Sequence, residues 1–456
     1  MKCFVALRAR GRLVGLVGRL LKRVAEETSR CPIGDRGQVG PGRKVDQRNY
    51  LTFGEIMWRL TWRPTLRLKD LAVGIKGRAR SVRGTAARLG YFLSESPFPI
   101  QAVCRVWVRE ALAKLPPEAL WTYQGMPVLV IDPTVYAKRS RRGKRGRAME
   151  YVHRLRDPRT ERTKWGYEDI WAGLVLHDGE ILPVARRLFS PAYPGPEGWS
   201  ENQVEDAVLY ESLQCLRKAG GYWVLVVADR GLSHKERLVQ MHQEGIPFVM
   251  RIRGDIQVET SRKKVGPLER LIWQGLLLGR GTWKEDKERA VPGKLYLLRG
   301  KVSFSRSGRK GDRQEAWLNF VAFLPDDPEE DPLLLVTNLG VTDLTHARGI
   351  LKVYERRWGI ETTLETLKAW GLEGFMVRRW HAIERACTLI ALAYILLLLA
   401  LYLGRWKALA PLLGQAKKLL KQLSVLGKRL TVGKLQEAIA LDYERHRRAW
   451  RALLRQ

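Results

Sequence analysis

Three acidic residues stand where divalent-metal chemistry would need them. Asp132 closes the apolar run VLVID and Asp229 closes YWVLVVAD. A hydrophobic strand has no structural need of a carboxylate at its end, and the plain alternative is that each acid starts a turn. Ends of adjacent strands lie about 5 Å apart in a sheet, so two neighbouring strands would carry both carboxylates to one edge. Hard oxygen donors paired in that way suit Mg²⁺ or Mn²⁺ rather than zinc. The third acid, Glu361, lies in KVYERRWGIETTLETLKAWG, where Tyr354, Arg357, Glu361 and Lys368 have offsets of 0, 3, 7 and 14. On a continuous helix these four fall within about 60° of one another. One face would then present a phenol, a guanidinium, a carboxylate and an ammonium, with Ile360, Leu364 and Leu367 as the apolar stripe beside it. Glu365 lies near the same face and is the rival to Glu361. Ordinary Arg–Glu pairing on a solvated helix is the bland alternative.

Positioning such residues requires strands for the first two acids and a helix for the third. From Pro127 the pattern is that of strands: VLVID, then WAGLVLHDGEILPVARRL, two strands joined by a turn at Asp178-Gly179. A helix over about 201–219 closes at Gly220-Gly221. The strand ending at Asp229, a helix over 233–244 and a strand over 248–253 complete a mixed α/β pattern. Leu333 to Asn338 reads as a further buried strand. One long helix is expected from Asp343 or Thr345, each a plausible N-cap, through Lys368. The chain divides into a basic helical region at 1–120, the α/β core at 121–254, a mostly β segment at 255–332, the remainder of the core with the long helix at 333–404, and a basic helical region at 405–456. The N-terminal region has the size of a small DNA-binding domain, though a bundle that packs on the rest fits equally.

The chain carries 81 Lys and Arg against 47 Asp and Glu, a net charge of +34 spread along its length. A field of that size suits a polyanion, duplex nucleic acid above all, with acidic membranes and ribosomal RNA as competitors. Seven of the ten residues from Lys138 to Arg147 are basic: Lys138, Arg139, Arg141, Arg142, Lys144, Arg145 and Arg147. That density just after Asp132 points to contact with a DNA backbone rather than to a solubilising loop. The five cysteines form no C-x-x-C pair, which argues against zinc and for a reducing cytoplasm. Cys387 to Gly404 is 18 residues without a charge, the lower limit for a membrane span. Its Thr388, Tyr394 and Tyr402 favour a buried core helix. No G-x-x-x-x-G-K-[ST] loop for ATP is present.

The spacing Y-x₂-R-x₃-E-x₆-K at Tyr354, Arg357, Glu361 and Lys368 resembles the YREK signature of the IS4-type DDE transposases. The acids in VLVIDPT and VVADRG, and LLLVTNL before the signature, stand in the same order, with 97 and then 132 residues between the acids. The resemblance spans about Gly125 to Trp380. It implies an RNase H-like catalytic core interrupted by a mostly β insertion, here the 255–332 segment. It implies that Asp132, Asp229 and Glu361 hold two Mg²⁺ (or Mn²⁺) ions, one activating the attacking water or 3′-hydroxyl and the other stabilising the leaving oxygen. Arg357 and Lys368 would grip phosphates and Tyr354 would contact the terminal strand. An aromatic of the insertion would stack a displaced base, with Trp283 and Trp273 as candidates, although packing in the core is the plainer fate of either one alone. The expected protein is thus a DNA transposase, a homodimer on DNA, that binds terminal inverted repeats, cleaves at the transposon ends and joins the 3′-hydroxyls to target DNA without ATP. The alternatives are an RNase H-like nuclease that does not join, a catalytically decayed DNA-binding regulator, and a membrane protein anchored by 387–404.

Overall fold

The computed structural model describes residues 15, 17–28, 46–62, 64–73, 75, 81–138, 149–156, 161–193, 199–284, 290–305, 313–375, 377–403 and 431–445. Among the described residues, helices come first: α1 (residues 17–28), α2 (Gln47–Trp62), α3 (Leu68–Ala72), α4 (Val82–Ser94) and α5 (Ile100–Leu112). Strands then take over: β1 (Thr122–Tyr123), β2 (Met126–Lys138), β3 (His153–Arg156), β4 (Thr163–Val175) and β5 (Ile181–Phe189). The β4–β5 turn is where the sequence predicts it, with Gly179 at φ +84°, a conformation that favours glycine. Next are α6 (Glu201–Gly220), β6 (Leu225–Ala228), α7 (Lys235–Gln243) and β7 (Phe248–Arg251). A capping box at Ser200 and Gln203 starts α6, and Gly221 at φ +68° ends it.

The 255–332 segment is mostly β, holding β8 (Gln257–Thr260), β9 (Val265–Pro267), α8 (Leu268–Leu271), β10 (Leu276–Lys284), β11 (Ala290–Ser305) and β12 (Arg313–Pro325). It extends the same sheet rather than standing beside it. The order is β3-β4-β2-β6-β7-β13-β12-β11-β8-β9, with β13 spanning Leu333–Thr337, β1 on β2, β5 on β4 and β10 on β11. The β2–β6 and β6–β7 pairs are parallel, and the other ladders are antiparallel. All four residues of β6 are buried, as expected of a central parallel strand covered on both faces. The fold is a mixed α/β sheet with flanking helices, as the sequence predicts.

The expected single helix from Asp343 through Lys368 is two helices, α9 (Leu344–Glu355) and α10 (Trp358–Ala369). Asp343 is the N-cap of α9, accepting from the His346 amide at 2.9 Å. Between the helices the amides of Arg356, Arg357, Gly359 and Ile360 bond three residues back, at 3.0–3.1 Å. The tightening falls where the chain meets the β4–β5 turn: a Cβ at Gly359 would lie 2.6 Å from the Gly179 carbonyl oxygen. That contact is tertiary, so the helical spacing of the sequence gives no sign of it.

The apolar stretch forms α11 (Trp380–Tyr402), with 94% of its most apolar window buried. It packs against α2, α4, α5, β5 and the last described helix, α12 (Val432–Arg445), as a core helix of this fold. Tyr394 donates to Glu180 at the β4–β5 turn, and Glu180 accepts from the Val432 amide at 3.1 Å. Arg385 donates to the Phe92 and Leu93 carbonyls at 2.9 and 3.2 Å, tying the end of α4 to the core helix. These polar ties explain how phenol, hydroxyl and guanidinium groups are tolerated on so apolar a helix.

Candidate active site

The parallel β2–β6 ladder sets the position of the first two acids. Ile131 faces Ala228 in register, so Asp132 and Asp229 are the next residues on adjacent strands. The expected placement at two strand ends holds for Asp229 and needs correction for Asp132. β6 stops at Ala228, and Asp229 caps a short 3₁₀ turn by accepting from the Arg230 amide at 2.8 Å. β2 continues beyond Asp132 to Lys138, because β4 on its other side keeps pairing as far as Lys138–Trp165. Asp132 therefore sits where the parallel pairing ends but the antiparallel pairing runs on.

The α9–α10 turn brings the signature residues to these acids. Tyr354, 2% exposed at the end of α9, donates its hydroxyl to Asp229 Oδ1 at 3.0 Å. Arg357 lies in the turn and reaches Asp132 Oδ1 at 3.0 Å and Glu361 Oε1 at 2.8 Å through the same Nη1. Residues 97 and 132 positions apart in the chain thus meet in one network, despite the break in the helix. Glu365, the rival carboxylate, is exposed on α10.

Burial dominates the electrostatics. It pushes the Asp132 carboxyl up to about 7, with Arg357 opposing and Glu361 and Asp229 adding to the rise. Burial likewise raises the Tyr354 phenol, so that it remains a donor toward Asp229. Burial works against the Arg357 charge, yet Asp132 beside it holds the guanidinium protonated. The donor set of three carboxylates within electrostatic reach fits a hard divalent cation. Among the described residues, however, no three His, Cys, Asp or Glu side chains are already arranged as a metal-holding group. The reason is visible in the contacts: Arg357 Nη1 lies between Asp132 and Glu361, and Asp229 Oδ1 is engaged by Tyr354 and Arg230.

Two lysines of the predicted site turn inward. Lys368 pairs with Glu373 at 3.3 Å. Lys138 donates to the Glu373 carbonyl and lies 3.4 Å over the Phe375 ring; burial lowers its ammonium to about 8. Arg139, Arg141, Arg142, Lys144, Arg145 and Arg147 lie outside the described residues. Trp283 of β10 is 7% exposed and stacked on Tyr354, its ring 5.8 Å away at an interplanar angle of 27°. Trp273, 39% exposed, packs edge-on against Tyr296. Glu373 is the residue that the sequence pattern missed. Its place in a short turn after Gly371, at φ +98°, makes it the partner of both lysines, and no spacing in the sequence signals this.

Residues 201–396 match the family model described as Transposase DDE domain. The matched stretch contains Asp229 and the whole of the Tyr354–Lys368 constellation and begins after Asp132. No curated protein matches the chain. The family match supports a DDE transposase, and the large mixed sheet with flanking helices is consistent with an RNase H-like transposase core. DDE transposases are enzymes that act on DNA and generally use divalent metal ions.

Proposed function

We propose that this chain is a cut-and-paste transposase of the IS4 type. It would bind the terminal inverted repeats of its element as a homodimer, cleave at the ends, and join the freed 3′-hydroxyls to target DNA without ATP, in the cytoplasm. The observation that carries this reading is the meeting of Asp132, Asp229 and Glu361 around Arg357 and Tyr354. A structural ion-pair network has no need of three acids from three distant segments at the end of a parallel strand pair.

Asp132, Asp229 and Glu361 would hold two Mg²⁺ or Mn²⁺ ions, which supply activation of the attacking oxygen and charge stabilisation at the leaving one. For these acids to share a cation, the Arg357 guanidinium withdraws from between Asp132 and Glu361. The guanidinium then has a phosphate to grip, and its buried Nε, without a hydrogen-bond partner among the described residues, is a donor still to be used. Tyr354 keeps Asp229 oriented through its hydroxyl. Lys368, released from Glu373, would hold a phosphate beside the scissile bond, and the basic run from Arg139 to Arg147 would follow the backbone, while Lys138 stays on the Glu373 carbonyl and the Phe375 ring.

The test uses a duplex built from the DNA flanking the gene. Asp132→Ala, Asp229→Ala and Glu361→Ala should each abolish Mn²⁺-dependent nicking and joining while leaving duplex binding within a few-fold. Glu365→Ala should cut normally. Normal cutting by the Glu361→Ala protein would defeat the assignment. Nicking without joining of a pre-cut end would instead favour a nuclease.

A further inference from the structure

We propose that Trp283 is a positioning residue that sets Asp229 through Tyr354, so that the β10–β11 hairpin controls a carboxylate of the active site. The inference rests on the active-site reading above and adds a residue to it. The hairpin reaches the site because β10 lies directly on α9. Gly279, at φ +142°, would place a Cβ 3.1 Å from Leu344 Cδ2, and a Cβ at Gly281 would come 3.0 Å from Leu295 and 4.0 Å from Arg348 Nε. Arg348 Nη2 also donates to the Arg280 carbonyl at 2.5 Å. Residues two apart along a strand share a face, so the face that carries Gly279 and Gly281 against α9 next presents Trp283. The absence of side chains at the two glycines is what lets the indole settle on Tyr354.

From there the path to the acid is short. The Trp283 and Tyr354 rings are stacked at 5.8 Å, and the Tyr354 hydroxyl donates to Asp229 Oδ1 at 3.0 Å. The Arg357 guanidinium also lies 5.6 Å from the Tyr354 ring centre. Tyr354 has a buried ring with few alternatives, and its hydroxyl position follows from how that ring is packed. An outer partner that orients a ligating group is worth about 10- to 100-fold in metal affinity. Trp283 is 7% exposed, with a face already covered by Tyr354, so it is built to hold that ring rather than to receive a displaced base.

The experiment measures Mn²⁺ binding to the full chain by electron paramagnetic resonance, and duplex binding by fluorescence anisotropy in EDTA. Tyr354→Phe should weaken Mn²⁺ binding about 10-fold, the lower end for an orienting partner. Trp283→Ala should weaken it about 2- to 10-fold, the range of an aromatic pair, with Trp283→Phe restoring most of the loss. The Trp283→Ala/Tyr354→Phe double variant should lose no more than the worse single one, because both act along one path. Duplex affinity in EDTA should stay within about twofold for the Trp283→Ala and Trp283→Phe single variants. Wild-type Mn²⁺ affinity in Trp283→Ala, or additive losses in the double variant, would overturn the proposal. So would a loss of DNA affinity of about 10-fold or more with metal binding unchanged, the signature of a base-stacking platform. If Trp283→Ala does not fold, Trp283→Leu, which keeps apolar bulk but removes the stacked ring, takes its place alone and in combination with Tyr354→Phe, under the same additivity criterion. Asp229→Ala separates the two levels: unchanged Mn²⁺ binding there would reject the active-site reading itself, whereas loss there with no effect of Trp283 rejects only the positioning role.

Discussion

Replacing Arg357 by Gln removes a cation that touches both Asp132 and Glu361. Arg357 is 6% exposed and Asp132 9% exposed, and the Nη1–Oδ1 separation is 3.0 Å. At an effective dielectric of about 20, two unit charges at that distance attract by about 5–6 kcal/mol before desolvation is counted. Desolvation of both groups offsets much of this, so the pair contributes little compared with two neutral side chains. Removing one partner alone is another matter, because it leaves a buried carboxylate uncompensated at a cost of about 3–5 kcal/mol. The Glu361 contact adds less, since that side chain is 39% exposed. Arg357→Gln should therefore lose about 3–5 kcal/mol, while Asp132→Asn/Arg357→Gln should recover at least half of that. Urea denaturation of the wild type, the two single variants and the double variant at pH 8 gives the coupling energy directly, expected at about 2–3 kcal/mol. A coupling below about 0.5 kcal/mol would mean that the pair behaves as a solvated surface contact, and the reasoning from burial would be refuted.

Two further outcomes follow from other contacts. Glu373→Gln releases Lys368 from its 3.3 Å ion pair, so duplex binding should tighten and the slope of log K against log salt should steepen by about 0.9, one added phosphate contact. Glu365→Gln, which removes an exposed acid from the same helix, should leave the slope unchanged; equal slopes in the two variants would defeat the idea. Burial first, then Glu201 and Glu205, pushes the Glu168 carboxyl up to about 7, and its Oε2 has no hydrogen-bond partner among the described residues. Because the folded value is raised, the stability this carboxyl contributes is complete below about pH 4.5 and is lost as pH rises through about 7. Glu168→Gln should accordingly stabilise the protein by about 1–2 kcal/mol at pH 8 and by much less at pH 5. Equal urea midpoint shifts at both pH values would show that the cause is not ionisation.

The sequence by itself determined the chemistry-bearing residues and the kinds of element that carry them. The apolar run before Asp229 is long enough to be a buried strand whatever surrounds it, and Asp178-Gly179 makes its turn from local backbone preference alone. Asp343 caps its helix with its own side chain, another local event. The net charge and the order of the three acids are likewise properties of the chain: the charge points to a polyanion, and the order carries the family resemblance that implies phosphoryl chemistry. What lay beyond the sequence was set by contacts between distant segments. The length of β2 past Asp132 depends on β4, and the break between α9 and α10 falls where Gly359 meets the β4–β5 turn. The inward turn of Lys138 depends on Glu373 and Phe375, more than two hundred residues away. Trp283 has the composition of a base-stacking residue, but only the sheet register and the two glycines of β10 decide that it rests on Tyr354. Local propensity fixes what an element is; which atoms of different elements share a site is decided by packing, and packing energies are not written in any one segment.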